Sequence, residues 1–229
     1  MKTKRVGRPE GPNTGNVARR RKQLIDATVK SIVEHGLSAT TLATVARASG
    51  LSQGTAVFYF KTKETLLAET FRHRMDDYRM AWRDAIETAG EDPVDRIVEM
   101  TFASIDPRLL SRDDLALWNA FWPEASRLDS LHAVFEEFEA ERQLMLRGLF
   151  TEARALLEPT LWEPDIAAQA AETMVEGIWV RLYYSPTHMS VKEALETMAR
   201  LLSTIFPTRS ETIMAKAARL IADIGPDRT

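Results

Sequence analysis

The 229-residue chain has no cysteine. That excludes disulfides, thiol nucleophiles and thiolate metal sites, and accords with a reducing, cytoplasmic setting. No run of about 18 uncharged apolar residues occurs, so no membrane span is expected. The basic N-terminus is followed by no apolar segment and does not read as a secretory signal. Histidine is scarce: His35, His73, His132 and His188 are dispersed, without a nucleophile–base motif, a metal-binding spacing or a Gly-rich phosphate loop. His73 with Asp76 and Asp77 has i, i+3, i+4 spacing, but with no further ligand nearby it reads as a surface ion pair. Catalysis is therefore not expected, and the inventory calls for neither a cofactor nor a metal. Strand-type alternation and internal repeats are also missing, which leaves an all-α fold.

Charge is present, and unevenly placed. The net charge of −3 hides 12 Lys and Arg against 3 acids in residues 1–63, a balance of +9, leaving 18 basic against 30 acidic residues beyond them, a balance of −12. A basic end on an acidic body suits a protein that presents one end to a polyanion. The chain divides accordingly into a basic arm at 1–18, a head at 19–63 and a helical body at 64–229. The arm is rich in Gly, Pro and Asn without apolar periodicity, and Arg5 and Arg8 within it are candidates for a minor groove.

The head is organised around TTLATVARASGLSQGTAVFYFKTK, residues 40–63. A helix from Arg19 to His35 carries Ile25, Val29, Ile32 and Val33 on one stripe, with Gly36 as its C′ residue. Thr40 or Thr41 can cap a second helix whose inner face is Leu42, Val45, Ala46 and Ser49, ended by Gly50. Ser52 caps a third, running to Phe60. Two short helices across a glycine turn form a helix-turn-helix, whose second member enters the major groove. On it, Gln53, Thr55 and Phe58 are candidates for base edges, and Gly54 permits close backbone approach. Tyr59, Lys61 and Lys63 suit phosphates, which position rather than specify.

Residues 19–70, through the string TTLATVARASGLSQGTAVFYFKTKETLL, resemble the DNA-binding domain of the TetR family of one-component repressors. The resemblance implies that the third helix is the recognition helix, opened by Ser52, and that Tyr59, Lys63 and Thr41 contact phosphates. It also implies a homodimer on a palindromic DNA operator and a body that senses a small-molecule effector. Val57 stands where many members carry a tyrosine.

In the body, Thr62 can cap a long fourth helix with Leu67, Phe71, Tyr78 and Trp82 on one face. Further helices are expected from Pro93 to Ile105, from Asp113 to Arg127 with a break or kink at Pro123, from Asp129 to Leu157, from Pro164 to Tyr184, from Ser190 to Phe206 and from Glu211 to Ile224. The 164–206 pair is strongly apolar on one side, and the resemblance makes it the dimer surface. Trp118, Phe121 and Trp122 share one side of a helix, and Glu172, Glu176, Trp179 and Tyr183 follow at i, i+4, i+7 and i+11. Aromatic faces beside an anion suit a quaternary ammonium cation; core filling is the other reading of the same rings.

QLIDATVKSIVEHG, LWNAFWPEASR and EGIWVRLYY are similar to the choline-responsive, BetI-like subgroup of that family. A ligand pocket at Trp118, Phe121, Trp122, Glu176, Trp179 and Tyr183 is what this implies, with a choline-like effector. A DNA binder without sequence preference is the alternative class, and an operator search yielding no palindrome would favour it.

Overall fold

The computed structural model describes residues 13–156 and 162–225. Among the described residues there are ten α-helices, one 3-10 turn and no strand. The chain divides into two compact units between Thr70 and Phe71.

The first unit holds α1 (Asn13–Ala39), α2 (Leu42–Ala48), α3 (Gln53–Phe60) and the start of α4 (Lys63–Thr88). Leu24, Ile25, Ala27, Val45, Ala46, Ala56, Phe60 and Leu66 form one core. Leu66 is why this unit reaches past residue 63: the first turns of α4 close the head. Gly36, at φ +78°, breaks helical geometry inside α1; a left-handed backbone there suits a residue without a Cβ. Just beyond it, the buried Thr40 hydroxyl bonds the Gly36 carbonyl at 3.0 Å and Ser31 Oγ at 2.9 Å.

Helix α1 begins at Asn13, not Arg19, which corrects the 1–18 arm: its last six residues are helical. The stretch is joined to a helix whose core anchors begin at Leu24, and Arg19 Nη2 donates to Asn16 Oδ1 at 3.0 Å across one turn. Such a solvent-facing extension carries no apolar period to reveal it. Arg5 and Arg8 lie outside the described residues.

The second unit continues α4 and adds α5 (Pro93–Ala103), α6 (Arg112–Ala125), α7 (Asp129–Leu156), α8 (Pro164–Tyr184), α9 (Val191–Ile205) and α10 (Ser210–Ile224). Helix starts follow local chemistry. Asp92 accepts from the Val94 and Asp95 amides, and Ser111 with Asp114 and Ser190 with Glu193 form capping boxes. Pro123 does not end α6, which runs two residues further. Helix α7 packs on α5 and α8, α8 on α9, and α9 on α10. Arg209 and Lys216 tie the C-terminal segment back to α5, bonding Asp92 and Glu99 at 2.8 Å each.

Candidate functional site

The head presents α3 as a short helix started by Ser52, whose Oγ accepts from the Thr55 amide at 3.1 Å. Gln53, Gly54 and Lys61 are exposed, Thr55 is half-buried, and Phe58 is 76% exposed with Val57 beside it. A benzyl group held in water on a helix face is poised for an apolar partner. Phe58 also meets the Tyr59 ring edge-on, with centroids 5.2 Å apart. Three residues assigned to phosphates turn out to have structural work. Thr41 and Thr44 exchange side-chain and amide bonds that start α2. The Tyr59 ring packs on the head core. Lys63 Nζ donates to the Leu37 and Ser38 carbonyls at 2.7 and 3.3 Å, past the Gly36 break. Lys61, at φ +58°, ends α3 with its side chain exposed.

In the body the rings of Trp118, Trp122 and Trp179 gather. Trp179 stacks on Trp118 at 5.6 Å and on Trp122 at 6.2 Å, while Tyr78 meets it edge-on at 5.3 Å. Trp179 Nε1 donates to the Ser104 carbonyl at 2.6 Å, which fixes the ring's orientation. Trp118 and Trp179 are buried, and Trp122, half-buried, faces a cavity of about 610 Å³. The cavity is also lined by Phe135, Glu136, His132, Thr173 and Glu176. Burial, and then Glu172, push the Glu176 carboxyl above its ordinary value.

Of the six residues expected at the pocket, Trp122 and Glu176 line this cavity; Trp118 and Trp179 are buried behind it, and the other two go elsewhere. Phe121 is fully buried and packs on Phe71 at 4.5 Å. Tyr183 lies with Tyr184 at 4.8 Å and under the Arg112 guanidinium at 5.8 Å. Conversely, α7 supplies His132, Phe135 and Glu136, which the sequence reading passed over. Their i, i+3, i+4 spacing, extended by Glu139 at i+7, marks one helical face. That pattern was available in the sequence, but a long amphipathic helix offers many such faces.

Behind the rings sits a buried charge network. Arg142 is 0% exposed; its Nε donates to Glu172 Oε1 at 2.6 Å and its Nη2 to Ser104 Oγ at 3.0 Å. Tyr78 Oη donates to the same Ser104 Oγ at 2.7 Å, and the guanidinium lies over the Tyr78 ring at 5.4 Å. Burial drives the Tyr78 phenol well above its usual value. Burial, then Glu172 and Glu176, push Glu139 up to about 7.

Comparison with known proteins places this architecture. Residues 24–70 match the family described as bacterial regulatory proteins, tetR family, and residues 90–207 match the BetI-type transcriptional repressor C-terminal family. The HTH-type transcriptional regulator BetI of Paraburkholderia xenovorans (strain LB400) is 30% identical over 202 residues, 86% of this chain and 99% of that protein. The regulator of the same name from Burkholderia lata is 33% identical over 170 residues, 74% and 85% of the two chains. The fold is similar to a transcriptional regulator of Pseudomonas aeruginosa PAO1, with a TM-score of 0.75 at 19% identity over 86% of this chain and 94% of that one. It is equally similar to a regulator of Saccharomonospora viridis solved in complex with choline, with a TM-score of 0.75 at 14% identity over 81% and 96%. The chain belongs to the TetR family: it is a helix-turn-helix transcriptional repressor with a BetI-type C-terminal domain, not an enzyme.

Proposed function

We propose that this repressor acts in the cytoplasm as a homodimer on a palindromic operator and releases it on binding a choline-like quaternary ammonium ion. The observation that carries the effector reading is one cavity lined by Trp122, Phe135, Glu136 and Glu176. Aromatic faces attract a desolvated cation by roughly 0.5–2 kcal/mol each, and the carboxylates add charge complementarity. The choline-bound regulator of similar fold supports the same ligand class. A ligand that prefers one state of the repressor shifts the population towards it and so changes operator affinity.

Calorimetry on the full chain tests this. Choline should bind more tightly than 3,3-dimethylbutan-1-ol, its uncharged isostere. Trp122→Ala should weaken choline binding about tenfold, within the range of one cation–π face. No heat from choline, or equal affinity for the neutral isostere, would remove the reading.

The dimer reading rests on α8. Within the 164–206 pair, Val175, Ile178, Leu195, Met198, Leu202 and Ile205 are spent on the chain's own core. Ile166, Ala170 and Met174, with Gly177 and Arg181, are spaced along one side of α8 and line a groove of about 740 Å³. Ile166 is 55% exposed at one end of this groove. Two copies joined there would present two heads to half-sites about 34–36 Å apart.

For DNA, Gln53 and Thr55 are assigned to base edges, with Phe58 and Gly54 approaching the same groove. Lys61 is the cleanest phosphate test, because its side chain is exposed and has no bonding partner among the described residues. Lys61→Ala should weaken binding to all sequences alike and lower the salt slope by about one per head. Tyr59→Phe separates a phosphate-bonding hydroxyl from the ring's packing role. Its operator affinity should fall while head stability holds; an unchanged affinity would leave Tyr59 as a packing residue alone.

A further inference from the structure

The acidic cluster behind the aromatic rings has charge that the protein does not neutralise. Carboxylate oxygens of Glu139 on α7 and of Glu172 and Glu176 on α8 lie within 4.8 Å of one another. One cation meets them: Arg142, whose Nε holds Glu172 Oε1 and whose Nη2 is committed to Ser104. With all three carboxylates ionised, as metal ligation requires, one guanidinium leaves a local charge of −2. Glu172 is 7% exposed, and its second oxygen, Oε2, has no hydrogen-bond partner among the described residues. A buried carboxylate oxygen left bare costs free energy unless something outside the chain completes it. Glu172 lines a cavity of about 210 Å³ together with Gln143, Arg147, Gln169, Thr173 and Glu176.

We propose that Glu139, Glu172 and Glu176 form a binding site for a hard divalent cation, Mg²⁺, Mn²⁺ or Ca²⁺. Two oxygens on opposite sides of Ca²⁺, each at about 2.3–2.6 Å, stand roughly 4.6–5.2 Å apart. The observed span therefore accepts such an ion with little movement, and Mg²⁺ or Mn²⁺ with a slight contraction. The donor set is all oxygen, which favours these metals over zinc or copper. Water in the adjoining cavity, with Thr173 and Gln169 at its wall, can fill the remaining positions. The charge of the ion equals the excess that Arg142 leaves. Glu176 also lines the effector cavity, so the site is tested without choline present.

Titration of chelator-stripped full-length protein with Mn²⁺, followed by the EPR signal of the free ion, tests the site. Saturable uptake of one ion per chain is expected. Glu139→Gln and Glu176→Gln should each weaken it at least tenfold, with helical content unchanged by circular dichroism. Glu87→Gln with Glu91→Gln, which removes two exposed carboxylates, should leave it intact. No saturable uptake, or uptake that survives Glu139→Gln combined with Glu176→Gln, would overturn the site and leave the cluster as a holder of protons.

Discussion

Arg142→Met should cost the folded body about 3–5 kcal/mol, because it strips a buried carboxylate of its cation. Glu172 would be left at 7% exposure with neither oxygen bonded to Arg142, and Ser104 would lose a donor. Methionine roughly retains the volume of the arginine stem, so the loss reports charge and hydrogen bonding more than a cavity. All five tryptophans, at 82, 118, 122, 162 and 179, lie beyond Thr70, so urea unfolding followed by tryptophan fluorescence reads the body alone. Arg142→Met combined with Glu172→Gln should recover a large part of the stability, since no buried charge is then left unpaired. A single-variant loss below about 1 kcal/mol, or full additivity in the pair, would show that the network contributes little.

Trp179→Ala should cost the body about 3–5 kcal/mol in the same urea transition, as expected for a buried aromatic truncated to a methyl. Its ring joins Trp118, Trp122 and Tyr78, and its indole N–H is placed on the Ser104 carbonyl. Trp179→Phe keeps much of the stacking and loses the hydrogen bond, so its cost should be smaller. Choline binding should also suffer in both, because Trp179 is the surface against which Trp122 is held. A Trp179→Ala protein within about 1 kcal/mol of the parent would contradict the packing described.

The contrast between these two residues shows what a sequence makes legible. Trp179 stood out because it shares a helix face with Glu172 and Glu176, at spacings of seven and three residues. Arg142 did not: its partners Glu172 and Ser104 are 30 and 38 residues away, and no local period announces a buried arginine. The helix-turn-helix was readable for the same reason as Trp179. Thr41, Gly50 and Ser52 are caps and turn residues whose chemistry acts within four positions. The all-α class followed from apolar spacing in every long segment. Misplaced residues were those whose local pattern was right but whose partner lay elsewhere. Phe121 sits correctly beside Trp122 in sequence, yet its ring turns to Phe71. Lys63 was assigned to phosphate, and here it bonds carbonyls 25 and 26 residues back. The start of α1 was missed because a solvated helical extension has no apolar period at all.

The central claim is that this chain reads a specific operator and gives it up to a small cation. Operator selection from random DNA with the full-length protein, followed by fluorescence anisotropy on the selected site with and without choline, tests both halves together. The expected result is a palindrome whose half-sites lie one helical turn apart, bound by two chains, with affinity falling at least fivefold when choline saturates the protein. Selected sequences without a palindrome, or an operator affinity indifferent to saturating choline, would contradict it.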